Sequence, residues 1–556
     1  MMHIMFEDPW NLLSWKKVKD SIYGYVYFNE IEKVVVDNPF VQRLRYIYQT
    51  QLTRLVYPAE HSRFLHSLGV MHLTGIAAYK ILLEIKREES KRKSSLLDNR
   101  VLNTMLLASR IAGLLHDVGQ IFMSHWTEEL LDQVVPPRLR PYGSHEELGL
   151  ILYENFISNK LRTHVNNIIG EKGFPLNVKM LDYFIRALLR PLEMQEVNYS
   201  SIRKIVKEGV KCEYNKYVKY LVPLYQVLKI WLYTTDELDY LMRDGKAMEV
   251  LEYGTIDWRR LIYETSVSYF PEKDTYILAV RNWRRFLPAF LRFLEAFILM
   301  YRFCYFHRTV KAFERVLHEL YREHILNFLD ALSKIIEGGN EGEVLRELYK
   351  FTDAVQLKRI IVDRIGRFGD EIRENWAKRM ISREPPVKLL LEINIHCRNV
   401  EELNKVMRKL RGLRNIMERY RESEPDFNIR LHVAFSEFMN LNENDREKLI
   451  EAARRRHLLM GGFYIALPHF LKYDNKVIFP IKGVSEEIKA IKLDVLMNSF
   501  VIPAYGKVPI LIKFLAFYEP RISDNERRRL RNVLTEGFTK LREELDLVME
   551  SIFPIP

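Results

Sequence analysis

The stretch LLASRIAGLLHDVGQ, residues 106–120, decides how this chain is read. It is a largely apolar helix, running from about Val101, that delivers His116 and Asp117 at its C-terminal end and stops at Gly119. Polar side chains at the end of a buried helix cost free energy unless they bind or hydrogen-bond something. With 15 histidines in 556 residues, a lone His-Asp pair is equally well a hydrogen-bonded helix end. Two other residues give it weight. His66 lies in a long apolar helix that runs to about Ile85, and Asp236 opens the segment DELDYLMRD, residues 236–244. Two imidazoles and two carboxylates can close around one divalent cation and leave positions open for water and substrate. A cation so held lowers the pKa of water and supplies a nucleophile near neutral pH. Such donors take Mn, Fe, Mg, Ni or Zn, and the residue types do not choose among them.

Outward from these residues the pattern is mainly helical. Residues 21–36 alternate apolar and polar and predict a short hairpin. Asn38-Pro39 then opens a helical segment with Phe40, Leu44 and Tyr48 at four-residue spacing. Residues 86–99 are charged and read as an exposed loop or a frayed helix end. Pro136-Pro137 and Pro141-Tyr142-Gly143 mark a loop, after which Ser144 and Glu147 form a capping box that puts His145 in the first turn of a helix. Helices are expected to continue to about Ile336, where Gly338-Gly339-Asn340 breaks the pattern. Past a soft boundary at Pro385-Pro386 the texture changes. Residues 387–395, 428–435, 477–481 and 508–517 read as strands, 401–421 as a basic amphipathic helix, and 524–552 as a closing charged helix. The expected fold is mainly α: a helical body over residues 1–384, with its core at about 15–335, followed by a smaller α+β region over 385–556.

Composition narrows the setting. A net charge of +12 favours anionic partners, without choosing between nucleotides and nucleic acid. Three clusters contribute: Lys405-Arg408-Lys409-Arg411-Arg414, Arg454-Arg455-Arg456 and Arg527-Arg528-Arg529-Arg531. Interspersed acids make a solvated face the simpler reading of each, with nucleic-acid binding or a subunit interface as the others. Cys212, Cys304 and Cys397 are far apart, so no zinc knuckle or disulfide framework is expected, and a cytoplasmic location is. Plentiful Lys, Arg and Glu hint at a thermophilic source. Residues 1–15 contain Glu7 and Asp8 and do not read as a signal peptide. The apolar residues 286–306 are broken by Arg292, Glu295 and Arg302, too charged to span a bilayer, so no membrane partner is expected.

Five segments stand in order: YIYQTQLTRLVYPAEHSRFLHSLGV (46–70), LLHDVGQIFMSH (114–125), SHEELG (144–149), DELDYLMRD (236–244) and YRFCYFHRTVKAFE (301–314). Together they resemble the HD-domain phosphohydrolases over about residues 15–330, and within them the deoxynucleoside triphosphate triphosphohydrolases. The resemblance implies that His66, His116, Asp117 and Asp236 hold one divalent metal ion. It implies a catalytic pair in His125 and Glu128, whose spacing on one helix lets the carboxylate orient the imidazole. His145 would face the phosphates, and Arg63, on the helix face of His66, would clamp their oxygens. Gln49, Tyr240 and Asp244 would surround the deoxyribose, and Tyr305 would crowd its 2′ position. The implied reaction converts a deoxynucleoside triphosphate to deoxynucleoside and triphosphate, in a homo-oligomer.

Three positions depart from that pattern. Gln120 stands where a histidine is common, Glu237 where a lysine is common, and Phe297 where an arginine is expected. Each charged contact to phosphate is worth about 1.5–3 kcal/mol, so their loss weakens the expected hold on a triphosphate. Arg243, Lys246 and Arg308 are the candidate replacements. Two other readings fit the same residues: an HD-type phosphoesterase or nuclease acting on another nucleotide or on nucleic acid, and a non-catalytic nucleotide- or nucleic-acid-binding regulator. No regulatory nucleotide site is legible.

Overall fold

Apolar residues at helical spacing shape most of the molecule, and the computed structural model is 67% helical. It describes residues 10–92, 97–123, 137–192, 197–424, 426–473, 478–482, 488–492 and 510–552. The predicted hairpin is present but lies earlier than expected. Its antiparallel strands are β1 (Trp15–Asp20) and β2 (Gly24–Asn29), and residues 30–36 are helical. Asn29 is the reason. Its side chain accepts from the backbone N–H groups of Ile31 and Glu32, and Glu32 accepts from Asn29 N at 2.9 Å, a capping box that ends the strand.

The helix that begins at Arg63 runs to Lys91, through the first part of the charged segment expected to be loop or fraying helix. Among the described residues it is the one helix long and apolar enough to cross a membrane, and it lies buried in the core. It packs along the helix Asn99–Leu115, and the helix Thr235–Ala247 crosses it. The helical series is interrupted where none was expected, by the hairpin β3 (Thr265–Phe270) and β4 (Thr275–Val280). The sequences TSVSYF and TYILAV are rich in β-branched and aromatic residues, and Asp274 adopts φ 40° between them.

Strands from the end of the chain extend this hairpin. With β7 (Ile478–Lys482) and β8 (Ile488–Lys492) it forms a sheet of order β3-β4-β7-β8, β7 running parallel to β4 at Val280 and Ile481. A second sheet holds β5 (Lys388–His396), β6 (Leu458–Ala466), β9 (Leu511–Tyr518) and β10 (Val548–Ile552), antiparallel in the order β10-β5-β9-β6.

Two expectations for this region are corrected. Residues 428–435 are not a strand but part of the helix Phe427–Phe438. Asp426 caps that helix through Ile429 N, and its buried face, Phe427, Leu431, Ala434, Phe435 and Phe438, has helical spacing. Phe435 stacks on Phe514 at 5.0 Å, which docks it on the second sheet. The closing helix ends at Leu545, where Asp546 takes φ 49°, and β10 pairs with β5.

Five of the twelve residues in the basic clusters form close ion pairs within the chain. Lys405 pairs with Glu401 at 3.0 Å, Lys409 with Glu544 at 2.6 Å, Arg455 with Glu451 at 2.7 Å, Arg456 with Asp370 at 2.7 Å and Arg527 with Asp524 at 3.0 Å.

One buried acid ties two site-flanking loops together. Asp353 Oδ2 accepts from Tyr48 N at 2.5 Å and Oδ1 from Met123 N at 3.0 Å. Burial pushes its carboxyl up to about 6, against the pull of those two N–H donors. Asp353→Ala strands two buried N–H groups, at about 1–3 kcal/mol each. Amide exchange at Tyr48 and Met123 is expected to rise roughly tenfold or more, with β5 and β9 still protected. Unchanged exchange at both amides would refute the tether.

Candidate metal centre

Three helix termini meet at one point. His66 sits in the first turn of Arg63–Lys91, His116 and Asp117 follow the last turn of Asn99–Leu115, and Asp236 is in the first turn of Thr235–Ala247. His66, His116 and Asp236 form a group able to hold a metal ion. His66 Nε2 is 3.2 Å from His116 Nε2 and 3.0 Å from Asp236 Oδ1, and His116 Nε2 is 3.6 Å from that oxygen. Asp117 borders the group, with Oδ2 3.8 Å from His66 Nε2 and Oδ1 3.6 Å from His116 Nε2.

The far side of each ring sets its tautomer. His116 Nδ1 donates to the Gly113 carbonyl at 2.8 Å, and His66 Nδ1 to Asp239 Oδ2 at 2.8 Å. A carbonyl or an ionised carboxylate can only accept, so both Nδ1 atoms carry hydrogen and both Nε2 atoms turn inward. Two imidazole nitrogens and a carboxylate oxygen at these separations are close enough to share one positive charge, a proton or a metal ion. Donors about 2.1 Å from one ion and at right angles lie about 3 Å apart, so the spacing fits a divalent metal.

Electrostatics agree with this arrangement. Burial disfavours charge on His66, but hydrogen bonds to Asp236 and Asp239 prevail and hold its imidazole up at about 10. The field that favours a proton there favours a metal ion equally. Burial would raise Asp117, yet Arg63, His116, His145 and His66 keep it far below the usual carboxylate range. Asp236 is held down in the same way, against burial, by His116 and His66.

Behind His66 lies a buried polar network. Arg243 donates to Asp239 through Nε at 2.8 Å and Nη2 at 2.9 Å, and to Asp20 through Nη1 at 2.8 Å. Tyr23 OH donates to Asp239 Oδ1 at 2.7 Å. This network crosses the Arg63 helix at Gly69, where a Cβ would lie 1.9 Å from Asp239 Oδ1. A second glycine sets the opposite wall. A Cβ on Gly119 would lie 2.1 Å from the His145 carbonyl, so only glycine lets the helix His145–Leu152 approach the His116-Asp117 turn. Ser144 caps that helix through Glu147 N, as the motif predicts, and His145 Nε2 comes to 3.7 Å from Asp117 Oδ1.

A cavity of about 520 Å³ opens on this centre. Of the residues singled out from sequence, Arg63, His116, Asp117, His145, Asp236, Gln49, Tyr240, Asp244 and Tyr305 line it. Arg63 is buried and donates to Asp117. Tyr305 arises from a π-helical turn, Met300–Tyr305, and its hydroxyl donates to Asp244 Oδ2 at 2.6 Å. The other Asp244 oxygen is 2.7 Å from His61 Nε2. Gln49 is 8% exposed, and its Oε1 has no hydrogen-bond partner among the described residues. His125 and Glu128 lie outside the described residues.

The departures resolve in unexpected ways. Glu237 does not face the phosphate side as a bare charge. It is buried and caps its own helix, accepting from Thr234 N at 2.9 Å and Thr234 Oγ1 at 3.1 Å. Arg243 is committed to Asp239 and Asp20, and Lys246 donates to the Ser21 carbonyl at 2.6 Å. Neither these two nor Arg308 lines the cavity, whereas Lys229, Lys311 and Lys472 do. Sequence reasoning missed these lysines, together with His61 and Asp239. Asp239 had a signal, since it lies three residues after Asp236 in the quoted motif; Lys472 had none.

Removing the far-side acceptor tests the tautomer argument. Asp239→Asn is expected to weaken metal affinity roughly 10–100-fold, measured by competition with a chelator, and Gly69→Ala to do the same by displacing Asp239. Wild-type affinity in both variants would show that the network does not orient His66.

The profile of the HD domain matches residues 63–207. Deoxynucleoside triphosphate triphosphohydrolase SAMHD1 of Bos taurus is 32% identical over 145 residues, 26% of this chain and 22% of that protein. The chain thus spans about a fifth of the length of that relative. A homolog of SAMHD1 from Dictyostelium discoideum is 24% identical over 401 residues, 66% of this chain and 65% of its own length. The crystal structure of a phosphohydrolase from Bacteroides thetaiotaomicron shares the fold, with a TM-score of 0.53 at 19% identity, covering 91% of this chain and 100% of that one. The chain therefore carries an HD domain and, within the HD-domain phosphohydrolases, resembles the SAMHD1 branch.

Proposed function

We propose that this chain is a metal-dependent phosphohydrolase that converts deoxynucleoside triphosphates to deoxynucleoside and triphosphate. The observation that carries this reading is the convergence of His66 Nε2, His116 Nε2 and Asp236 Oδ1 within 3.0–3.6 Å at the foot of a cavity of about 520 Å³. That volume suits a nucleotide-sized ligand. The likeness to triphosphohydrolases supports the substrate class.

His66, His116, Asp117 and Asp236 would hold a divalent cation, which would supply Lewis acidity and lower the pKa of a water nucleophile. The chain's own groups do the rest. Arg63 keeps Asp117 ionised and presents positive charge at the cavity wall. His145, in the first turn of its helix, faces the same wall and as imidazolium stabilises phosphate charge. His125, oriented by Glu128, is assigned to positioning the water. Tyr240, and Tyr305 locked by Asp244, form a rigid aromatic wall for the sugar. The unpaired Gln49 Oε1 accepts from a sugar hydroxyl or a base amine.

The test is a product assay. Protein loaded with Mn²⁺ and given a panel of deoxynucleoside triphosphates is expected to release inorganic tripolyphosphate and deoxynucleoside. Asp236→Ala and excess chelator each reduce turnover by several orders of magnitude. Orthophosphate as the sole phosphate product, or no product from any member of the panel, would reject the reading.

A further inference from the structure

The cation missing beside Asp236 has a replacement from the far end of the chain. Glu237, in place of the expected lysine, turns its carboxylate toward the turn His469–Lys472. Its Oε1 accepts from His469 N at 3.3 Å and lies 2.8 Å from His469 Nδ1. Four further contacts hold this turn in place. Val197 N donates to the Lys472 carbonyl at 2.9 Å. Tyr473, buried, donates through its hydroxyl to the Ile230 carbonyl at 2.9 Å and accepts from Gln226 Nε2 at 3.0 Å. Phe470 packs edge-on against Phe290 at 5.5 Å. The backbone of Lys472 is thus fixed before any ligand arrives.

That geometry aims Lys472 at the cavity. Its ammonium makes no hydrogen bond or ion pair among the described residues, although burial disfavours its charge. Its nearest opposing charges are Glu146 and Glu237. Both are already committed, Glu146 to Lys229 and Glu237 to the Thr234 cap and His469. A partly buried ammonium without a counter-ion is costly, and an anionic ligand removes that cost. Lys229 also lines the cavity, close enough to Lys472 to disfavour its charge, and is itself paired with Glu146.

We propose that Lys472, beside the Lys229–Glu146 pair, is a specificity-determining residue that grips the distal phosphate of a polyphosphate tail. The terminal α+β region, through Glu237 and the His469–Lys472 turn, therefore completes the site. This deepens the triphosphohydrolase reading and rests on it. An unpaired ammonium outside the metal-ligating group gives a chain of phosphates a second anchor, which a single phosphate has no further oxygens to use. The metal-ligating group alone makes no such distinction.

The experiment uses the full-length, Mn²⁺-loaded protein and two probes, inorganic tripolyphosphate and orthophosphate, with binding measured by calorimetry. Lys472→Gln is expected to weaken tripolyphosphate binding roughly tenfold or more and leave orthophosphate binding unchanged, while Lys472→Arg keeps most of the tripolyphosphate affinity. With deoxynucleoside triphosphate as substrate, Lys472→Gln raises KM far more than it lowers kcat. Equal tripolyphosphate binding by wild type and Lys472→Gln overturns the proposal, as does an equal loss for both probes or no tripolyphosphate binding by wild type. Failure of the triphosphohydrolase reading shows separately: the binding discrimination persists while wild-type protein turns over no deoxynucleoside triphosphate. Matching thermal unfolding of both variants and wild type confirms that folding is unaffected.

Discussion

Two imidazole nitrogens and a carboxylate oxygen held 3.0–3.6 Å apart repel one another unless positive charge lies between them. The rest of the site follows from that constraint. Three helix termini converge on the donors and bring them together. The Gly113 carbonyl and Asp239 orient the rings by accepting from each Nδ1. Asp239 in turn depends on Arg243, Tyr23 and the missing side chain at Gly69. A buried carboxylate held by four donors does not swing away, so the inward direction of His66 Nε2 is built into the fold.

Charge around the cavity is distributed rather than lost. Substitutions that look damaging in the linear sequence, Glu237 above all, have become structural. Glu237 caps its helix and receives the His469–Lys472 turn, and that turn brings an ammonium to the same cavity. The region beyond residue 385 is therefore joined to the helical body through β7 on β4 and through Phe470 on Phe290. The aromatic wall is built in a similar spirit. A π-helical turn brings Tyr301 and Tyr305 into the cavity, and Asp244 pins the Tyr305 hydroxyl.

The helical core was legible because helix signals are local. The Ser144 cap appears where the motif places it, and the buried faces of the Arg63 and Asn99 helices follow their apolar spacing, although the helix expected to stop at Gly119 already ends at Leu115. The errors share a cause. Residues 428–435 have a mixed apolar pattern compatible with strand, and only the Asp426 cap and the stacking of Phe435 on Phe514 make them helical. The hairpin β3–β4 carries strand-forming residues, but its sheet is completed by β7 and β8, which no local window contains. In the site, the motif residues could be named in advance because the five segments that hold them resemble the HD-domain phosphohydrolases. Lys229 and Lys472 could not, since nothing adjacent in sequence relates them to Asp236.

Sequence alone determined the mainly α class, the donor types His66, His116, Asp117 and Asp236, and the positions where the expected cations are missing. The first depends on helical periodicity, which acts over a few residues; the others are what the resemblance of the quoted segments to the HD-domain phosphohydrolases implies. Tertiary structure decided which ring nitrogens face inward, what Glu237 contacts, and which lysines reach the cavity. Those outcomes depend on contacts between residues far apart in the chain, whose geometry is settled only when the helices and both sheets pack together.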